Sequence, residues 1–284
     1  MERIVCLGDW GSEPLQYQSD FFQHFSYDRI YLLGDNFYPN GVLSTQDEQW
    51  KSKMNALFPS RIPKHVCLGN HDYNGNVNAQ IVYSKLEKYW NCPFFYHDVE
   101  HDSVSAHTFF IDTQIMAPEF TYYLLHACEV PSHIVSAYTS IQRTYFQKQF
   151  HWLETSLQKS NARWKIVCGH YPIFSNGPHE CSTELQQQLL SLLETYKVDL
   201  YISGHDHNVQ CIRKNDIHFL ISGNIFPHGY PIKRVLERDS VFCNDTEPMV
   251  VYLEIQSHTL EVYAVNCLDN TCLLYTSPSP RDRY

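Results

Sequence analysis

The sequence predicts an α/β fold built on mixed sheets. Three observations carry that prediction. Five short apolar runs each stop at a glycine followed by a polar side chain. Segments with apolar residues every three or four positions lie among them, and beyond His207 strand-like runs follow one another with no helix between. Unbroken apolar runs of this length suit strands covered on both faces. A glycine after such a run lets the backbone turn sharply and approach a ligand closely.

In chain order, Ile4-Val5-Cys6-Leu7 ends in Gly8-Asp9-Trp10-Gly11, and Ile30-Tyr31-Leu32-Leu33 ends in Gly34-Asp35, with Tyr38 three residues on. Residues 65–68 end in Gly69-Asn70-His71-Asp72, residues 165–168 in Gly169-His170, and residues 200–203 in Gly204-His205-Asp206-His207. Helical stripes are expected over 46–58 (Trp50, Met54, Leu57, Phe58) and 80–90 (Ile81, Val82, Leu86, Tyr89, Trp90). Two more are expected over 143–159 (Tyr145, Phe146, Phe150, Trp152, Leu153, Leu157) and 184–196 (Leu185, Leu189, Leu192, Leu193, Tyr196), the latter capped by Ser182 or Thr183. Residues 218–222, 249–255 and 260–265 read as an antiparallel close to a sheet. Residues 114–142 hold scattered aromatics and two prolines without a period, which suits a substrate-side loop or a packed surface excursion. Residues 1–270 read as a single domain without internal repeats. Residues 271–284 resemble a translated sequencing adaptor and are read as a non-native tail.

At 284 residues the chain can bury a full core. Its net charge of −10, from 21 basic and 31 acidic residues, leaves no basic patch for a phosphate backbone and argues against nucleic acid as a partner. Sixteen histidines would carry the net charge toward zero below about pH 6. No apolar run approaches the roughly 20 residues of a membrane helix. Met1-Glu2-Arg3 leads straight into a strand with no visible signal peptide. There is no Cys-x-x-Cys among the ten cysteines. Cys6, Cys67 and Cys168 sit in apolar runs and read as buried free thiols, while Cys128 and Cys181 lie in loops where they could bridge.

The donors at the strand ends are Asp9, Asp35, Tyr38, Asn70, His170, His205 and His207. This oxygen and nitrogen set without thiolates suits Fe, Mn or Zn. Seven donors exceed what one tetrahedral ion takes, and two ions sharing a carboxylate would use them, with Asp35 the natural bridge. Paired metals are a device for phosphoryl hydrolysis: they activate water and stabilise charge on the phosphoryl oxygens.

In this order the motifs resemble the calcineurin-like metallophosphoesterases, and Tyr38 narrows the resemblance to purple acid phosphatases. Gly34-Asp-Asn-Phe-Tyr38, Gly69-Asn-His-Asp72, Gly75-Asn-Val-Asn-Ala-Gln80, Gly169-His-Tyr-Pro172 and Gly204-His-Asp-His-Asn208 are similar to the small, animal-type, tartrate-resistant enzymes, and the similarity runs from Ile4 to Val265. The resemblance implies a four-layer α/β/β/α sandwich of two mixed sheets flanked by helices. It implies an acid phosphatase acting on small phosphate monoesters or phosphoproteins, monomeric, and secreted or lysosomal, with a cytoplasmic location as the alternative. By position, Asp9, Tyr38, His207 and bridging Asp35 would hold Fe(III). Asn70, His170, His205 and Asp35 would hold a divalent Fe, Zn or Mn ion. A metal-bound hydroxide is then the nucleophile, and a tyrosinate on Fe(III) gives the family its colour. His71 would bind a phosphoryl oxygen or protonate the leaving group, with Asp72 orienting His71 or a metal ligand.

The chain departs from the family in places. Asn176 stands before Gly177-Pro178 where the family has a second active-site histidine, and His179 follows as its possible substitute. The stretch Gly223-Asn-Ile-Phe226 is shorter than the family's glycine-rich version, and 114–142 has little similarity to its protease-sensitive loop. The family's cysteine pair would map to Cys128 and Cys181, and Asn244-Asp245-Thr246 is a glycosylation sequon. A phosphodiesterase or protein phosphatase is the alternative activity, and a non-catalytic metal- or phosphate-binding module is the alternative from another class, disfavoured by the intact donor set and His71. The arginine motif of protein phosphatases is replaced here by Asn36 and Phe37.

Overall fold

Alternation along each central strand explains the layers. In β1 (Glu2–Leu7), Ile4 and Cys6 face one way and Val5 and Leu7 the other, and all four are buried. A strand apolar on both faces must be covered on both. The computed structural model describes residues 1–116, 132–179, 183–233 and 238–276. Among these, fourteen strands form two seven-stranded sheets.

In the first sheet, β1 lies parallel to β2 (Arg29–Leu33), followed by β3 (Lys64–Cys67) and β4 (Trp90–Asn91). On its other side come antiparallel β12 (Met249–Ile255), β13 (Leu260–Asn266) and β14 (Cys272–Thr276). The second sheet centres on parallel β6 (Ala106–Phe110), β7 (Trp164–Cys168), β8 (Leu200–Ser203) and β10 (Ile217–Ser222). It is bounded by antiparallel β5 (His97–His101) beside β6, and by β9 (Val209–Lys214) and β11 (Ser240–Asn244) beyond β10.

Three apolar clusters join these parts. Ile4, Cys6, Tyr31 and Leu33 of the first sheet meet Phe110, Ile166, Cys168 and Ile202 of the second. On the first sheet's outer face, Val5, Leu7, Ile30 and Leu32 pack on Phe21 and Phe22 of the helix Gln16–His24 and on Trp10 and Phe58. On the second sheet's outer face, Phe109, Val167 and Tyr201 pack on Leu153 and Leu157 of the helix Ser132–Lys159 and on Leu189 and Leu193 of the helix Thr183–Thr195. The result is the expected order of helix, sheet, sheet, helix. The free thiols Cys6, Cys67 and Cys168 are buried as expected.

Several local expectations are corrected. The helix expected over 80–90 is Val77–Tyr83, and Trp90 instead opens β4 opposite Lys64. Val82 and Leu86, expected on a core face, are 45% and 67% exposed. The free edge of β3 recruits Trp90 into a strand, and tertiary pairing overrides a short helical pattern. Within 46–58 only a wide helical turn, Trp50–Met54, and a single further turn, Asn55–Leu57, form. Residues 132–142, read as irregular, belong to the helix Ser132–Lys159. Residues 217–222 run parallel to β8, and β9 and β11 were not foreseen. Cys272–Thr276, inside the stretch read as a tail, forms edge strand β14. Cys128, Cys181, Ser182 and residues 277–284 lie outside the described residues.

Candidate metal centre

Parallel β1, β2 and β3 bring their carboxyl ends to one edge, and β7 and β8 do the same in the facing sheet. The residues just past those ends therefore converge, as at the crevices of open α/β sheets. The turns are tight. Asp9, Asp35 and His205 have φ of 58°, 53° and 69°, left-handed conformations that cost about 1–2 kcal/mol for residues other than glycine. Strain of this kind is retained where side-chain direction matters. Gly69 and Gly204 are needed for the approach: a Cβ on Gly69 would collide with the Asp35 carboxylate, and one on Gly204 would lie 2.6 Å from Asp9 Oδ2.

Tyr38 Oη lies 3.0 Å from Asp9 Oδ1, 3.0 Å from Asp35 Oδ2 and 3.1 Å from His207 Nε2. Asp35 Oδ1 faces the other way, 3.5 Å from His170 Nε2, which is 3.0 Å from Asn70 Oδ1. The His205 ring centroid is 5.0 Å from that of His170, and its backbone N–H donates to Asp9 Oδ2 at 2.7 Å. Six of the seven donors expected from the sequence thus approach one another atom to atom, and the His205 ring packs beside that of His170. Asp35 stands between two groups with one oxygen toward each.

The chemistry of these donors fits two cations. One phenolic proton cannot satisfy Asp9, Asp35 and His207 together. His170 donates Nδ1–H to Leu33 O at 2.9 Å, so in the neutral imidazole that a metal requires Nε2 is the lone-pair nitrogen. In that form the lone pair faces the oxygens of Asn70 and Asp35, three acceptors that a cation can share. Neighbouring ligands on an ion with bonds of about 2.0–2.2 Å stand about 3 Å apart, as these do. Donor atoms of Asp9, Asp35 and His170 all lie within 4.8 Å of one another.

The electrostatics are mixed: against burial, Asp35 and then Asp9 raise the His170 pKa, and the hydrogen bond and charge of Asp9 raise that of His207. Burial works against the charge on Asp9, but the hydrogen bond from His207 and the nearby His170 and His205 hold its pKa down at about 2. Burial, with the Asp9 charge adding to it, leaves the Asp35 pKa raised despite His170. Burial, then His170, pushes His205 well below the ordinary imidazole range. That favours the neutral form a metal requires.

The remaining expected site residues separate. His71 donates its N–H to Asp35 Oδ1 at 2.8 Å. Its Nδ1 lies 2.6 Å from Pro39 O, its ring packs 4.3 Å from Tyr38, and its side chain is 33% exposed. Asp72 is fully buried and bonds to neither His71 nor a donor side chain. It accepts from Gly69 N at 2.8 Å, Asn36 N at 3.1 Å, Asn36 Nδ2 at 3.0 Å and Gln80 Nε2 at 2.8 Å, tying the Asp35 loop to the Asn70 loop. The His179 ring lies 4.5 Å from that of His205, and its N–H donates to Asp206 Oδ1 at 3.1 Å. Asn176 is buried, and its N–H donates to Gln210 Oε1 at 2.8 Å.

Other contributors had little or no signal in the sequence. Thr113 Oγ1 accepts from the backbone of His170 at 3.1 Å and of Tyr171 at 2.9 Å. Lys53 Nζ donates to Tyr38 O at 2.7 Å. Asp206, which belongs to the Gly-His-x-His motif, accepts from Ser175 Oγ. Tyr230 stacks on His207 from an aperiodic stretch in which only Gly229 hinted at a close approach.

Residues 2–209 match the model of the calcineurin-like phosphoesterases, and the chain belongs to that family. It is 34% identical over 242 residues to tartrate-resistant acid phosphatase type 5 of Sus scrofa, covering 78% of this chain and 68% of that one. The Homo sapiens enzyme of the same name is also 34% identical over 242 residues, covering 78% and 72%. Purple acid phosphatase 4 of Arabidopsis thaliana is 33% identical over 236 residues, covering 78% and 67%. These relatives place the chain among the purple acid phosphatases, as an acid phosphatase and so a hydrolase. The purple acid phosphatase PPD1 from yellow lupin seeds shares the fold at a TM-score of 0.71 and 16% identity, over 98% of this chain and 53% of that one. A Plasmodium protein described as "GAP50 the anchor in the inner membrane complex" shares it at 0.81 and 24%, over 99% and 89%. No helix among the described residues is long and apolar enough to cross a membrane.

Proposed function

We propose that this acid phosphatase hydrolyses phosphate monoesters at a mixed-valent pair of metal ions bridged by Asp35. Asp9, Tyr38 and His207 complete the ferric site, and Asn70, His170 and His205 the site of a divalent Fe, Zn or Mn ion. The observation that carries the reading is Tyr38 Oη within 3.1 Å of Asp9, Asp35 and His207 at once. A deprotonated phenol is a hard anionic ligand, and a hard ligand favours the harder, ferric state. When bound, the ions supply a nucleophile active at acid pH and neutralise charge on the phosphoryl oxygens.

The chain's own residues do the rest. His71 commits Nδ1 to Pro39 O, which leaves Nε2 as the atom that can meet substrate. Protonated, Nε2 holds a phosphoryl oxygen or gives its proton to the leaving oxygen. His179 stands beside His205 and takes the second histidine position that Asn176 does not fill. Asp72 acts through the backbone of Gly69 and Asn36, as a positioning residue.

Iron-loaded protein is expected to absorb broadly in the visible, and Tyr38→Phe to abolish that band while the fold is kept. A wild-type protein that holds iron without colour would refute the tyrosinate assignment.

A further inference from the structure

The histidines of the two candidate metal sites are held by different means. His170 presents Nε2 because its Nδ1–H is committed to Leu33 O at 2.9 Å. His207 points Nε2 at Tyr38 Oη, 3.1 Å away, and at Asp9 Oδ1, 3.4 Å away. Among the described residues nothing hydrogen-bonds its Nδ1. What faces the His207 ring is Tyr230, with centroids 4.1 Å apart and planes within 5°.

Tyr230 is itself pinned to the chain that carries His207. Its N–H donates to His207 O at 2.7 Å, and its carbonyl accepts from Asn208 Nδ2 at 3.4 Å. The preceding Gly229 donates its N–H to Asp245 O at 3.0 Å. A Cβ on Gly229 would collide with His207 O, so the loop comes this close only because that residue is glycine.

We propose that Tyr230 is a positioning residue that sets the plane of the His207 imidazole by stacking, the task the Leu33 carbonyl performs for His170. The inference rests on His207 being a ferric ligand. A ring stacked in parallel on its neighbour cannot swing out of plane without losing that contact. A cation on Nε2 draws electron density from the imidazole, and the electron-rich phenol face then holds it more strongly. The stack therefore favours the metal-bound form. The ring does this work, so the Tyr230 hydroxyl is dispensable.

The test uses the full-length iron-loaded protein as wild type, Tyr230→Phe, Tyr230→Leu and Tyr230→Met. The readouts are the rate of iron transfer to excess chelator and the visible absorption maximum. Tyr230 is 37% exposed, and circular dichroism checks that each variant is folded. Tyr230→Phe is expected to match wild type within about twofold in both readouts. Leu and Met, which fill space without a ring face, are expected to release iron about tenfold faster, the usual loss when a partner that orients a ligand is removed, and to shift the band. Wild-type release from folded Leu and Met variants overturns the proposal, and so does a Phe variant that behaves like Leu. A colourless iron-bound wild type removes Tyr38 from the ferric site, and the release rates still decide the role of Tyr230.

Discussion

Asn36 shows how much one residue can do unseen. In the sequence it stands out only as the absence of an arginine. In the structure it is buried, accepts from Trp10 Nε1 at 3.1 Å, and donates Nδ2 to Cys67 O at 2.9 Å and to Asp72 Oδ2 at 3.0 Å. It thus holds the loop that aims Asp35 and Tyr38. For His71, which bonds Asp35 through its backbone N–H and packs its ring on Tyr38, His71→Ala is expected to lower kcat by about 10²–10⁴-fold. Metal content, measured by elemental analysis, is expected to stay unchanged; loss of metal would make its role structural. Asp112 gives a pH prediction. Burial raises its pKa to about 7, and Tyr73 donates to it from the helix Asn70–Tyr73. The folded state therefore prefers the protonated acid. That preference stabilises fully below the unfolded value of about 4 and is lost as pH rises to 7. In chelated protein, Asp112→Asn is expected to gain on wild type across that window, by up to about 4 kcal/mol above pH 7. Denaturant melts at a series of pH values would show it; a difference constant with pH would refute it.

At the scale of elements, the strand ends carry the site and the aromatic packing behind them fixes the loops. Phe37 is fully buried between Trp50, 4.7 Å away, and Trp10, 5.5 Å away, so the loop from Asp35 to Tyr38 is anchored at its centre. The turns tolerate little. In Gly69→Ala the new Cβ would meet Asp35 Oδ1 and the Asp35 backbone N. That variant is expected to fold, because the sheets and their three clusters are untouched, yet to lose most of both metals and at least about 10²-fold in kcat. Normal metal content in Gly69→Ala would show that the loops can separate at no loss to the site. The five strands that end in these turns were legible because each is buried on both faces and so is apolar without interruption. The helix over 77–83, the edge strand β4 and the added strands β9 and β11 were not. Their patterns are short, and partners distant in sequence decide them.

For the whole molecule, the two sheets bring donors from both halves of the chain together: Asp9, Asp35, Tyr38 and Asn70 from the first sheet's edge, His170, His205 and His207 from the second. Ions shared between them would link the sheets, so metal and global stability are coupled. At free metal about 100-fold above its dissociation constant, binding to the folded state alone adds about 2.7 kcal/mol. Chelation is therefore expected to lower Tm by several degrees, and restored iron to return it; an unchanged Tm would show that no ion bridges the sheets. By itself the sequence placed seven ligand-type side chains after buried strands and marked Asp35 as the natural bridge, whereas the layers and the division of the donors between two ions were what the family resemblance implied. The placement rests on local chemistry: an apolar run, a glycine, a ligand-type side chain. Only the tertiary structure decided that Asp72 braces two loops and leaves His71 alone, and that His179 faces the centre while Asn176 is turned to Gln210. It alone set Tyr230 on His207. Those contacts join residues with no shared period or motif. They follow from the way two sheets close on each other, which no single stretch of the chain encodes.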